Sequence, residues 1–407
     1  MWLVVPVGLA LAFFSGAHAL SSVSTRTSPE FALAVFPWNG LALQELAYRS
    51  FVEGVENASD LQEPQEESSA QPAADVQAPP EVKLEDLQLF AVAARGEAVT
   101  ALSYEPLLPK AHVLLALSES DAASSKQIIN LASRFNRRDM TLQRLVLQTR
   151  VVDADYPAMI ETLDQMLRVR PERGSEFYAI LTVALRQEAT IPQFTDLLGK
   201  PLPWRDSFLE YAVRQDGVLS NLAAIRESIA INNLEFDRRL IANLANGGDV
   251  ATAARIYSLA SQSGRAPSDL RHTSWSSDYP PFEWTFADEA RFRAQTRSGE
   301  GSLEFTVEPG NGGVLATKLL AAPEGAFAVA VPADVEPLGS LRDMKLILRC
   351  WGNAEPFFEE SFANRNGEFL VENAPSCQYM QLEITARAWT GSSSIAGTLE
   401  PVKVVER

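Results

Sequence analysis

The sequence predicts a multidomain α plus β protein, with an array of paired helices followed by an antiparallel β-sandwich. Three observations carry this reading. Residues 84–264 are rich in Ala, Leu, Arg and Gln, poor in Gly, and space their apolar side chains by three and four. Beyond Pro267 the chain becomes a series of short alternating runs of Val, Phe, Leu and Thr broken by Gly and Pro. No long helical pattern separates those runs, which excludes a parallel sheet with crossover helices. The 407 residues, 46% of them hydrophobic, suffice for two or three domains with cores of their own.

In chain order, residues 1–20 carry no Lys, Arg, Asp or Glu and end in the small-residue run Ser15-Gly16-Ala17-His18-Ala19. They read either as a signal peptide cleaved after Ala17-His18-Ala19 or as an N-terminal anchor in the inner membrane. Both readings export the remainder, to a periplasmic or other extracytoplasmic location. A helical domain is expected over 29–266, interrupted at 53–83 by a disordered acidic insert. Residues 53–86 hold ten acidic residues against one Lys, with four Pro and almost no large apolar side chain, too little to offset the entropy of ordering. That net −9 is about half of the chain's −17. Asn57-Ala58-Ser59 within it matches a glycosylation acceptor, a pattern of low specificity.

After the insert, Leu142, Leu145 and Val146, then Met159, Leu163, Met166 and Leu167, repeat at helical spacing. Pro37, Pro109 and Pro171 each sit where a helix is expected to begin, since the missing N–H costs least there, and Asp139 suits an early helix position. Pro109 and Pro171 are 62 residues apart, near two repeats of about 34.

One segment is sharper. Residues 240–249 read as a helix ending in a Gly247-Gly248-Asp249 turn, and Ala253, Tyr257 and Ala260 follow at spacings of four and three. Small residues let two helices approach while the ring fills the groove between them. This resembles the tetratricopeptide repeat, and Phe36-Pro37-Trp38-Asn39-Gly40 resembles that repeat's junction. The resemblance touches about half of 29–265 and is degenerate, with Ile241 where the family prefers a small residue. It implies a helical solenoid that binds protein partners; a generic helical bundle is the alternative.

The β-sandwich is expected over 275–405, with about eight strands at 282–286, 302–307, 313–320, 326–331, 345–351, 368–371, 377–387 and 397–405. The run Gly301 to Phe305, then Leu319-Leu320, then Pro323-Glu324-Gly325-Ala326-Phe327 resembles the jelly-roll carbohydrate-binding modules, a motif of low specificity. The only two cysteines, Cys350 and Cys377, lie 27 residues apart in this region. In an oxidising compartment they can close a disulfide; two buried thiols are the alternative.

No signature of catalysis emerges. His18, His112 and His272 are scattered, and no nucleophile elbow, P-loop, zinc-protease helix or dinucleotide fingerprint is present. Asp288-Glu289 and Glu359-Glu360 qualify as a carboxylate pair by identity alone. No cofactor and no metal centre is expected, and the acidic balance argues against nucleic acid. For binding, Trp275, Trp284, Trp351 and Trp389 fall in the last third. Trp284 is expected in the core. Phe357 and Phe358, after Pro356 in a loop-like stretch, are candidates for an exposed contact. Lys126, Arg134, Arg137, Arg138, Arg144 and Arg150 face only Asp139 between Lys126 and Arg150, a net +5, and Arg134, Arg137 and Arg138 are the candidate basic surface. The expectation is a non-enzymatic scaffold or adaptor of the bacterial envelope, accessory to polysaccharide assembly or export, with envelope proteins and polysaccharide as partners. The alternative is a carbohydrate-binding protein that uses its β-sandwich. The tie to bacteria and to polysaccharide rests on resemblance of layout.

Overall fold

The computed structural model describes residues 4–60, 84–261, 273–296, 301–364 and 367–406. It is helical first and stranded last, and its packing groups the chain into two compact units, Met1–Arg173 and Gly174–Arg407. The change in composition near residue 267 marks where helices give way to strands, whereas the second unit also takes in the last six helices.

The first unit contains α1 (Val4–Ser24), α2 (Pro29–Val35), α3 (Gly40–Asp60), α4 (Leu84–Tyr104), α5 (Pro109–Leu117), α6 (Ala122–Phe135), α7 (Met140–Val152) and α8 (Tyr156–Val169). From α3 onward each helix packs on the next, and α5 packs also on α3 and α7, the pattern of a layered array. Short polar residues start the helices. Asn39 accepts from the Ala42 N–H at 2.9 Å, Asp121 caps α6, Asp139 accepts from Leu142 N–H at 2.9 Å, and Asp155 caps α8. Pro109 stands in the first turn of α5 as expected, and Pro171 opens a 3₁₀ turn. Residues 53–60, assigned from sequence to the acidic insert, instead complete α3. The cause is that Phe51, Val52 and Val55 continue the apolar stripe and pack with Phe90 of α4. Residues 61–83, the rest of the expected insert, lie outside the described residues.

Helix α1 runs unbroken through Ala17-His18-Ala19 and ends in a buried polar clasp. Ser21 Oγ donates to Ala32 O at 2.8 Å, and Asn39 Nδ2 lies 2.7 Å from Ser21 Oγ and 3.0 Å from Thr25 Oγ1. Among the described residues no helix is long and apolar enough to cross a membrane.

The second unit opens with α9 (Gly174–Leu185), α10 (Ile191–Leu198), α11 (Arg205–Ala212), α12 (Leu219–Ser228), α13 (Leu234–Asn246) and α14 (Val250–Ala260). Each also meets its next-but-one neighbour, α9 with α11, α10 with α12, α11 with α13 and α12 with α14. The 240–260 segment folds as its pattern implies. Gly248 takes the positive φ of the turn (+91°), Asp249 caps α14 by accepting from Thr252 N–H at 3.1 Å, and Ala253, Tyr257 and Ala260 are buried.

Thirteen strands follow among the described residues, every pairing antiparallel. They are β1 (Thr285–Phe286), β2 (Asp288–Glu289), β3 (Phe292–Thr296), β4 (Leu303–Val307), β5 (Gly312–Ala321), β6 (Phe327–Ala330), β7 (Ala333–Glu336), β8 (Met344–Cys350), β9 (Phe358–Ser361), β10 (Glu368–Val371), β11 (Tyr379–Arg387), β12 (Ile395–Leu399) and β13 (Lys403–Glu406). The sheets run β1-β5-β11-β8-β9, β10-β6-β13 and β2-β3-β4-β12-β7. They share one apolar core built on Trp284, Phe305, Phe327, Phe362, Phe369 and Leu382. The expected final strand at 397–405 is two strands, because Pro401 interrupts the ladder. β2, β3, β7 and β9 escaped the sequence reading: β2, β7 and β9 have two to four residues and weak alternation, whereas β3 alternates more clearly but has the charged residues Arg291 just before it and Arg293 within it. Cys350 and Cys377 form a disulfide with their Cα atoms 5.9 Å apart.

Helices and sheets of this unit meet through aromatic rings. Tyr257 of α14 stacks on Phe282 at 5.4 Å between centroids and lies 3.3 Å from Glu283 Oε1, and Trp351 Nε1 donates to Ala245 O at 3.2 Å. Glu283 is buried; its other oxygen accepts from the Asp278 and Tyr279 N–H groups, which fastens the loop preceding β1.

Candidate functional site

One candidate lies on the outward face of the β5-β11-β8-β9 sheet. Strand alternation sends Met380, Leu382, Ile384 and Ala386 into the core and turns Gln381, Thr385 and Arg387 the other way. On β8 the same rule turns Lys345, Ile347 and Arg349 outward. Past β11 the chain is pinned by Gly310 N–H to Ala388 O (2.8 Å) and Ala388 N–H to Asn311 O (2.9 Å). It then turns at Trp389-Thr390-Gly391-Ser392, where Ser392 N–H reaches Trp389 O at 3.0 Å and Gly391 supplies φ +84°. This turn holds Trp389 out at 53% exposure.

Trp389 is held by polar groups on two sides. Its Nε1 donates to Asp343 Oδ1 at 3.1 Å, and the Arg387 guanidinium carbon stands 4.2 Å from the ring centroid. Beside it opens a groove of about 390 Å³ bordered by Gly312, Gly313, Arg342, Lys345, Glu359 and Thr385. Lys345 pairs with Glu359 at 2.6 Å and Arg342 with Asp343 at 3.6 Å; no carboxylate among the described residues pairs with Arg387. An aromatic plate, an open guanidinium and paired charges offer ring stacking together with directional hydrogen bonds.

Further along the same face, Arg349 bonds Glu383 at 2.8 Å, and Gln381 Nε2 donates to Glu383 Oε1 (2.9 Å) and Thr317 Oγ1 (3.1 Å). Arg349 and Gln381 thus both bond Glu383, while Arg349 Nε is buried with no hydrogen-bond partner among the described residues.

A larger cavity, about 600 Å³, lies where the α12–α13 loop meets Leu259, Ala260 and Tyr279. Its wall contains a buried ion pair, with Arg226 Nε donating to Asp237 Oδ1 at 2.8 Å and Nη2 to Oδ2 at 3.1 Å. Burial pushes the Asp237 carboxyl above its ordinary value, with the Arg226 hydrogen bond and charge opposing. Burial also raises the Tyr279 hydroxyl, helped by the negative charge of Asp237, and that hydroxyl donates to Ala260 O at 3.2 Å. The pair consumes both carboxylate oxygens, so it braces the cavity wall.

The residues singled out from sequence scatter over the molecule. Arg134, Arg137 and Arg138 are exposed around the turn from α6 to α7, beside exposed Leu131 and Phe135. Lys126 is paired with Asp153, and Arg150 bonds Asn130 Oδ1 at 2.9 Å with Asp155 at 3.7 Å, so those two are partly neutralised. Phe357 and Phe358 are half-buried against the sandwich core, with Phe358 edge-on to Phe369. Trp284 and Trp275 are buried with centroids 4.4 Å apart, and Trp351 is half-buried. His112 Nδ1 lies 2.7 Å from Leu108 O, Asp288 pairs with Arg293, and His272 falls outside the described residues. Among the described residues no cluster of three or more His, Cys, Asp or Glu is suited to hold a metal.

Sequence reasoning noted Trp389 only as one of four tryptophans and missed Arg387, Lys345 and Asp343. Two signals were present: the alternation 381-383-385-387 puts Arg387 on the polar face, and Gly391 two residues after Trp389 marks a turn. No family model matches the chain, and no curated protein matches it.

Proposed function

We propose that this chain is a non-enzymatic exported scaffold or adaptor of the bacterial envelope, accessory to polysaccharide assembly or export. The observation that carries it is the set of exposed basic and apolar side chains at the α6–α7 turn: Leu131, Arg134 and Phe135, spaced to share one face of α6, followed by Arg137 and Arg138, on a layered helical array. Such a surface suits an acidic partner protein with an apolar anchor. A tetratricopeptide-like reading is supported by the Asn39 and Asp249 caps and by buried Ala253, Tyr257 and Ala260. Export is supported by the Cys350–Cys377 disulfide and the uncharged first twenty residues. The test is gentle crosslinking in native envelopes followed by mass spectrometry, comparing the parent chain with R134Q/R137Q/R138Q. The triple variant is expected to lose the protein partners the parent captures; unchanged capture removes the basic surface from the reading.

A second reading, carbohydrate binding by the β-sandwich, is favoured by one observation, the exposed Trp389 beside a groove of mixed lining in a domain whose Trp275 and Trp284 are buried. The two readings are compatible, since each uses a different part of the chain.

A further inference from the structure

We propose that the Trp389 groove takes a carboxylated pyranose, the unit of an acidic polysaccharide, with the sugar ring on the Trp389 face that Arg387 leaves uncovered and its carboxylate reaching past the ring edge to Arg387. This rests on the carbohydrate-binding reading and narrows it to one ligand class.

The groove separates two kinds of polar group. Lys345 and Glu359, and Arg342 and Asp343, already hold each other, and Asp343 also accepts from the Trp389 indole. These half-satisfied pairs suit sugar hydroxyls, which donate and accept at once. Arg387 differs. Its guanidinium lies 4.2 Å from the Trp389 centroid, is exposed, and has no carboxylate partner among the described residues. Contact with the indole holds the guanidinium in place, and its exposure leaves N–H groups available for a two-point bond to carboxylate. A neutral glycan offers that edge hydroxyl acceptors but no charge to complement it. Counting side chains, the groove offers Arg342, Lys345 and Arg387 against Asp343 and Glu359, a local positive excess in an acidic chain. At physiological salt the Debye length is about 8 Å, so distant negative charges are screened while a direct Arg–carboxylate contact persists. The volume of about 390 Å³ lies within the usual range of small-ligand sites.

The test is retardation of the full chain in native gels containing polygalacturonate, neutral dextran or sulfated dextran, with titration calorimetry on polygalacturonate oligomers at 0.15 M salt. The expected result is binding to polygalacturonate that weakens roughly tenfold in Arg387→Gln, the scale of one lost charged hydrogen bond. Trp389→Ala is expected to abolish binding, and Trp389→Phe to restore part of it, which separates ring stacking from a folding defect. Equal binding to dextran and polygalacturonate, indifferent to Arg387→Gln but lost in Trp389→Ala, overturns the acidic-sugar assignment and leaves carbohydrate binding standing. Binding to none of the three polymers overturns both. So does binding to sulfated dextran and polygalacturonate alike that survives Trp389→Ala, because it is then attraction of charge alone.

Discussion

Arg226 and Asp237 show how one pair of residues trades stability for definition. Their side chains are 9% and 5% exposed, so both charges leave water, and the two-point hydrogen bond between them offsets that cost. Removing one partner leaves the other charge buried alone. Asp237→Ala, which takes away both acceptors, is therefore expected to destabilise the second unit by about 3–5 kcal/mol in denaturant titration. The carboxyl itself, raised above 3.8 by burial, is expected to titrate later than exposed aspartates when followed by carbon NMR. Because the folded state keeps this proton where the unfolded chain has released it, the contribution to stability is full below 3.8 and declines as pH rises through the raised value. Sequence reasoning saw neither partner. Eleven residues separate them on different helices, and only the α12–α13 turn brings them together.

At the scale of elements, β5 and β11 form one side of the candidate groove, and at Gly312 they leave no room for a side chain. A Cβ there would stand 2.8 Å from Ala386 O and 2.8 Å from Arg387 Cα, backbone atoms that cannot swing aside. Gly312→Ala is expected to cost roughly 1–3 kcal/mol and to raise hydrogen exchange at the end of β11, loosening Arg387 and Trp389 together. Normal exchange and unchanged stability would show that this end of the sheet adjusts freely. The helices were more legible than the strands. Asp139, read as an early helix acid, and Asp249, read as the end of a turn, both cap the helix that follows, because capping needs only a side-chain oxygen within three residues of a free N–H. β2, β7 and β9 were missed because two to four residues carry too little alternation to identify a strand.

For the molecule as a whole, the disulfide is the clearest covalent constraint, and it belongs to the second compact unit. Closing 27 residues is worth about 3.5 kcal/mol by the chain-entropy estimate. Reduction is expected to speed the slowest exchanging amides of the β8 and β11 strands, read by hydrogen exchange and mass spectrometry, while amides in Met1–Arg173 keep their rates. Unaltered exchange throughout would mean that the crosslink adds nothing to the folded sheet. The charge of −17 is also unevenly spread, with residues 53–86 carrying net −9 and the stretch from Lys126 to Arg150 carrying net +5.

The sequence by itself determined the order of helices and strands, the helix starts at Pro109 and near Asp139, the buried Trp284 and the proximity in sequence of the two cysteines. These are local properties, set by apolar period, by side-chain hydrogen bonding over three residues, and by turn chemistry. Only the tertiary structure decided which aromatic faces outward. Phe357 and Phe358 follow a proline in a polar stretch, yet the core beneath β9 takes up much of their surface. Trp389 follows a strand of inward-facing residues, yet the turn at Gly391 and the Asp343 bond hold it out. Exposure depends on what other strands leave uncovered, and that is a property of the packed sheets.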